Sequence, residues 1–501
     1  MREEVQKKLE EFKGYIRKIE HLSSAASVLY WDMRVNMPKK GAAQRGDALG
    51  LLYSEIYKLQ TSDEMKSFID YFSIVEDLDV VSKAMLEEAR KTYDQTKKIP
   101  EDRYKEFVIL KTSSEVAWEE AKEKSDFNIF KPYLEKVVEF TKEFVEYWGY
   151  KENKYDTLLD FYEPGITVEK LDKVFGELRD AIVNLLNKIK ASNVVIKDEF
   201  FKKKFSKELQ EKFSLYVLEK MGYDFEAGRL DESVHPFTIN FGNKDVRITT
   251  KYLENEFRSA LFSTIHEGGH GIYEQNIPDE LDGTGLNSGV SMGIHESQSR
   301  FYENIIGRSK EFWNYFYPEV QRVFSQFEGV SFEDFYRGIN VIEPSLIRTE
   351  ADELTYSLHV IIRYEIEKAL IKGEVEVKDL PQLWNEKYKE YLGVEPKNDA
   401  EGVLQDVHWS DGSFGYFPSY ALGNLYGAQF LNKMIKDIPE VFKEIQEGNL
   451  MSIHQWLKDN IHKHGGVHKP AELIKMVTGE ELTAKYFIEY LNNKYKEIYK
   501  L

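Results

Sequence analysis

The sequence predicts an all-α fold carrying one small antiparallel β-sheet, and three observations lead there. Apolar residues recur at three- and four-residue spacing through most of the 501 positions, the period of an amphipathic helix. Glu and Lys fill the positions between them, which favours helix and solvates its outer face. Only one stretch, 234–250, switches to strict alternation. With 42% hydrophobic residues, 14% aromatic residues and only 13 prolines, the chain has the material for a large packed core.

The first helix is expected over residues 2–21, where Val5, Leu9, Phe12, Ile16 and Ile19 fall on one face. The same periodicity predicts helices near 80–95, 103–123, 131–150, 168–190 and 205–221. Residues 234–250, VHPFTINFGNKDVRITT, alternate around Gly242-Asn243 and read as a β-hairpin. Helical spacing then returns near 252–275, 294–306, 310–326, 350–372, 380–391 and 440–448. Residues 402–427, GVLQDVHWSDGSFGYFPSYALGNLYG, are rich in Gly and aromatics and read as one long loop. Long loops inside compact helical proteins are usually functional. No linker, low-complexity tract or short repeat interrupts the chain, so one domain is expected over 1–501. Within it, a helical part covers about 1–230 and a second region about 231–430.

Composition excludes several classes of function. The net charge of −19 opposes binding to nucleic acid or an anionic membrane, both of which attract cationic proteins. With no cysteine, disulfides, thiolate metal sites and cysteine nucleophiles are absent. The N-terminus, MREEVQKKLEEFKGY, lacks the apolar core of a secretory signal. No apolar run approaches the ~18–20 residues of a membrane span. A soluble cytoplasmic protein is the expectation.

The sharpest motif is His266-Glu267-Gly268-Gly269-His270, an HEXXH pattern, set in a stripe of Phe257, Leu261, Ile265 and Ile272 at helical spacing. One turn of helix puts both imidazoles on the same face, within reach of one cation. Glu267 is rotated by about 100° from His266, so it misses the metal yet reaches a water beside it. Chance gives roughly 0.02 such matches in a chain of this His and Glu content. The alternative is an exposed helix with two satisfied histidines, which explains the glycines poorly. Each interior helix Gly costs about 1 kcal/mol against Ala, so Gly268, Gly269 and Gly271 imply that something approaches the backbone closely.

A catalytic zinc takes a third protein ligand and keeps one position open. Glu296, 26 residues past His270 near the start of the next helical run, is one candidate. His295, as ligand or as a donor to one, and Glu303, two turns further on, are its rivals. The C-terminal histidines His454, His462, His464 and His468 sit among lysines without a matching carboxylate set and read as surface.

Six motifs in this order resemble the carboxypeptidase Taq type of metallocarboxypeptidase. They are His235-Pro236-Phe237; Asp245-Val246-Arg247-Ile248-Thr249; the HEXXH pattern; His295-Glu296-Ser297-Gln298; Ile347-Arg348 through Ala351-Asp352; and Gly402 through Gln405-Asp406-Val407-His408-Trp409. The resemblance implies a helical, two-lobed clamshell with a deep groove, shared with neurolysin-like and angiotensin-converting-enzyme-like peptidases. It implies metal ligation by His266, His270 and Glu296, with zinc or cobalt as the one divalent ion per subunit and Glu267 as general base. It further implies removal of single C-terminal residues with broad specificity from peptides with a free C-terminus, by a homodimer.

The tetrahedral oxyanion needs a donor beyond the metal. His408 and Tyr420 are the candidates, with Tyr416 as a rival. His235 either lines the site or caps the hairpin, and the resemblance favours the site. An exopeptidase must also bind a terminal carboxylate, for which a guanidinium is suited. Arg348 is favoured and Arg247 is the alternative; Asp352 and Asp245 are nearby acidic partners that would make either arginine a structural ion pair. Competing functions are an endo-acting oligopeptidase, which needs no carboxylate clamp, and a helical scaffold with a structural metal, disfavoured by the absence of Cys and the presence of Glu267.

Overall fold

The computed structural model describes residues 3–501. Residues 1 and 2, where the first predicted helix and the 1–501 domain span begin, lie outside the described residues. The described chain is mostly helical with one three-stranded sheet. It forms two compact units, both discontinuous in sequence. The first holds the chain up to Thr96, Lys197–Ile339 and Phe430–Glu480; the second holds Lys97–Ile196, Asn340–Gln429 and Glu481–Leu501. This division does not follow a cut near residue 230.

In the first unit, the opening helix runs Glu3–Val35, longer than its clearest periodicity, and buries Val5, Leu9, Phe12, Ile16 and Ile19 as expected. Phe12 stacks on Phe68 and Phe72, with ring centroids 4.9 and 5.6 Å apart. A second aromatic cluster anchors the start of the HEXXH helix, Phe257–Gln275. Phe257 lies 5.3 Å from Phe205, 5.2 Å from Phe324 and 5.0 Å from Phe327. Burying such a ring contributes about 1.5–3 kcal/mol. The helix begins at 257, later than its periodicity suggests, because Glu256 is extended and its side chain caps the N–H of Arg258.

The sheet has three strands, β1 (Gly228–Glu232), β2 (Thr238–Asn240) and β3 (Val246–Thr250), in the order β1-β3-β2. The expected hairpin is present: β2 pairs antiparallel to β3, with Thr238 opposite Ile248. The expected purely antiparallel sheet is corrected, because β1 adds to the other edge of β3 in parallel. Val246, Ile248 and Thr250 alternate inward and are fully buried.

The second unit includes the helices Glu101–Lys124, Phe127–Trp148, Val168–Ala191, Tyr356–Lys372 and Leu380–Tyr391, each close to its predicted span. The long loop expected over 402–427 is shorter. Turns continue only to about residue 417, and a helix starts at Pro418 and runs to Asp437. Proline is tolerated in a first helical turn because its missing N–H would have no intrahelical acceptor there. Several helices were not marked by periodicity, among them Ala42–Gln60, where Gly46 and Gly50 dilute the pattern.

Candidate metal centre

His266 and His270 lie one turn apart on the Phe257–Gln275 helix. The adjoining helix, Met292–Arg300, starts at a Ser291 cap on the Ile294 N–H and carries Glu296. Glycine is what lets the two helices meet. A Cβ at Gly269 would sit 2.6 Å from the Gln298 carbonyl oxygen and 2.8 Å from Ser299 Cα. One at Gly271 would meet Tyr223 at 2.8 Å and Ile248 of β3 at 3.1 Å. What approaches the backbone closely at these two glycines is the helix that carries Glu296, the Tyr223 ring and the sheet.

Glu296 Oε2 then lies 3.5 Å from His266 Nε2 and 3.4 Å from His270 Nε2. Among the described residues, this is the one group of three or more metal-binding side chains whose donor atoms all lie within 4.8 Å of one another. Two imidazoles and a carboxylate are the ligand types of a catalytic zinc site. Bonds of about 2.0–2.1 Å to a tetrahedral ion place neighbouring donors about 3.3–3.4 Å apart. The residues therefore fit a divalent cation in chemistry and in spacing.

The rivals for the third position have other partners. Glu303 Oε2 is 2.8 Å from His266 Nδ1, the nitrogen opposite the one that faces Glu296. It is held there by Arg300 Nη1 at 3.2 Å, and the π-helical turn Phe301–Ile306 carries it. His295 Nδ1 lies 2.6 Å from His270 Nδ1. Outer partners of this kind orient a metal ligand and fix its tautomer.

Charge follows the geometry. Burial would raise the Glu296 carboxyl, but Arg300, whose Nε is 2.7 Å from Oε1, and His266 hold it well below the ordinary range. Burial pushes His270 down to about 3, so its imidazole is neutral and able to ligate. Burial also pushes His266 down, but Glu296 and Glu303 outweigh it and the net direction is up. Glu267 is buried, which raises its carboxyl, against the pull of His266 and a hydrogen bond from Thr238. Thr238 Oγ1, on β2, donates to Glu267 Oε2 at 2.6 Å. That strand fixes the carboxylate in place beside the three donors.

His235 and Arg247 belong to the same unit but have separate surroundings. His235 is exposed, and its carbonyl accepts from Ser233 Oγ at 2.6 Å in the turn before β2. Arg247 makes a two-point contact with Asp245, at 2.8 and 2.7 Å, between the rings of Trp31 and Phe241. The histidine cluster needs a correction. His462 is fully buried rather than at the surface, bonded to Gln298 Oε1 at 2.9 Å and packed on Tyr273. Gln298 lies two residues past Glu296, so the C-terminal turn braces that helix.

The second unit gathers Arg348, His408, Tyr416 and Tyr420. Arg348 is buried, and its ion-pair partner is Asp406, not Asp352: Nε and Nη2 contact the carboxylate at 3.2 and 3.0 Å. Asp352 instead accepts the N–H groups of Thr355 and Glu343 ahead of the Tyr356–Lys372 helix. Arg348 Nη1 reaches Tyr356 Oη at 3.2 Å, and its guanidinium sits 5.0 Å from the Tyr420 ring. Arg363, also buried, approaches Asp406 at 3.4 Å. His408 stacks on Tyr416, and Tyr420 Oη donates to Tyr416 Oη at 3.1 Å. Burial pushes His408 down to about 4 and holds the Tyr420 phenol protonated.

Thr238, Arg300 and Glu274, whose Oε1 lies 2.7 Å from His295 Nε2, carry no motif in the sequence, although spacing gives a signal for two of them. Arg300 is four residues past Glu296, and Glu274 four past His270, each one turn along the same helix face.

The sequence matches the family described as Carboxypeptidase Taq (M32) metallopeptidase over residues 11–495. It is 52% identical over 493 residues to Carboxypeptidase 1 of Bacillus subtilis, covering 98% of each chain. It is 40% identical to Thermostable carboxypeptidase 1 of Thermus thermophilus, covering 96% of this chain and 97% of the relative. The crystal structure of an M32 carboxypeptidase from Deinococcus radiodurans superposes with a TM-score of 0.96 at 35% identity, covering 99% of this chain and 100% of that one.

Proposed function

The chain belongs to the carboxypeptidase Taq (M32) metallopeptidase family, and from that premise we propose which residues carry its chemistry. It is a metallocarboxypeptidase, a peptide hydrolase that works from the C-terminus. Its residues His266, His270 and Glu296 hold the divalent metal, and zinc is the ion, with cobalt as a substitute. The spacing of 3.4–3.5 Å between the Glu296 oxygen and the two imidazole nitrogens carries this reading. A cation bound there polarises a water and the scissile carbonyl.

Glu267 is the general base. Burial raises its carboxyl above the ordinary range, which suits it to accept the water's proton and return it to the leaving amine. Thr238 holds it in position. Arg348 binds the substrate's terminal carboxylate: Asp406 takes the Nε N–H and one on Nη2, Tyr356 takes one on Nη1, and two of the five N–H donors are left. His408, neutral at pH 7, and the protonated Tyr420, whose single O–H turns from Tyr416 Oη to the substrate, donate to the oxyanion. His235 and Arg247 serve substrate binding on the strength of their motifs, although the Asp245 contact supports a structural place for Arg247. Broad specificity and a homodimer follow the resemblance, and a cytoplasmic location follows the composition of the sequence; among the described residues no helix is long and apolar enough to cross a membrane.

The Glu267→Gln variant tests the assignment. It is expected to bind zinc as the wild type does while turnover falls by about 10²–10⁴-fold, the range for loss of a general base. Full turnover in that variant would contradict the role.

A further inference from the structure

His266 is backed by a carboxylate directly, through Glu303. His270 is not. Its Nδ1 meets a second imidazole, His295, at 2.6 Å, and His295 Nε2 meets Glu274 Oε1 at 2.7 Å. If His270 ligates through Nε2, the proton must sit on its Nδ1. Nδ1 of His295 must then accept that proton's hydrogen bond, which puts the His295 proton on Nε2, facing Glu274. One choice of tautomer therefore satisfies every contact in the chain.

Glu274 is placed for this task. It is 2% exposed and lies one turn beyond His270 on the same helix. Its Oε1 also accepts from Ser288 Oγ at 2.8 Å and from the Gly289 N–H at 3.1 Å, while Asn240 of β2 donates to Oε2. Four donors hold a buried carboxylate in its ionised form. The His295 ring is packed on both sides of this relay. It packs on Tyr273, with centroids 5.0 Å apart, and a Cβ on Gly289 would come within 2.7 Å of its Cδ2.

We infer that Glu274 is a positioning residue for the metal, acting through His295 to fix the tautomer and orientation of His270. The inference rests on the assignment of His270 as a ligand. The relay is also longer than the one behind His266, so the carboxylate charge reaches His270 only through a hydrogen-bonded imidazole.

Zinc affinity of the full-length protein, measured by chelator competition, tests this. Glu274→Gln, which removes the charge but keeps the side-chain shape, is expected to weaken zinc binding by about 10- to 100-fold, the usual effect of losing an outer-shell partner. Ser288→Ala removes one loop hydrogen bond to the same carboxylate but leaves its charge, and is expected to stay within about threefold of the wild type. Glu274→Gln within threefold of the wild type would overturn the inference. So would Ser288→Ala weakening binding as much as Glu274→Gln, because the carboxylate would then only be holding the loop. Should Glu274→Gln fail to fold, His295→Phe carries the same expectation, and unchanged affinity there overturns it equally. His270→Ala separates the two levels. Zinc lost in His270→Ala but kept in Glu274→Gln defeats the relay alone, whereas zinc kept in His270→Ala defeats the ligand assignment as well.

Discussion

Arg348 is at once half of a buried ion pair and the side chain proposed for the terminal carboxylate. Its contact with Asp406 is buried on both sides, and breaking a buried pair ordinarily costs about 3–5 kcal/mol because a charge is left alone. Arg363, 3.4 Å from the same carboxylate, would still face Asp406, so the loss on Arg348→Ala should fall below that range. The proposed role makes a sharper prediction. Arg348→Ala should raise KM for peptides with a free C-terminus at least tenfold and narrow the preference for a free over an amidated terminus, as rates on a matched pair would show. An unchanged preference for the free terminus would remove Arg348 from substrate binding. The sequence showed the arginine and its motif, but not its partner. Asp352, four residues away, was the natural guess, whereas the partner is 58 positions downstream, and only the fold brings Asp406 there.

At the scale of elements, the centre depends on the distance between two helices. Replacing Gly269 by Ala would improve intrinsic helix propensity by about 1 kcal/mol. The added methyl, however, would collide with the backbone at Gln298 and Ser299, which cannot move as a side chain can. At Gly268 the nearest atom is the Leu218 Cδ2 methyl, the end of a side chain rather than backbone. Gly269→Ala is therefore expected to lower stability by about 1–3 kcal/mol, the usual cost of overpacking, and to weaken zinc binding by moving Glu296. Gly268→Ala should do less of both. Denaturant unfolding together with metal titration would check this, and a stabilised Gly269→Ala would refute it. The HEXXH spacing, the helix stripe and the cost of the glycines were all legible in sequence. The object that the glycines admit was not, because it is a neighbouring helix and sheet rather than a ligand. The parallel strand β1 was hidden for a similar reason: GRLDE carries no alternation strong enough to mark it.

At the scale of the whole molecule, the helical class was legible because helical periodicity is local and repeated over hundreds of residues. The division into units was not, because each unit is assembled from three separated segments and no change of composition marks their edges. The residues proposed for metal chemistry lie in the first unit, and those proposed for the terminal carboxylate and oxyanion lie in the second. The most direct measurement is mass spectrometry of one unstructured peptide, supplied with a free and with an amidated C-terminus, before and after chelation and re-addition of zinc or cobalt. A ladder of single-residue losses from the free peptide alone, abolished by chelator and restored by metal, is the predicted result. Internal fragments from both peptides, or a ladder that survives complete removal of the metal, would contradict it.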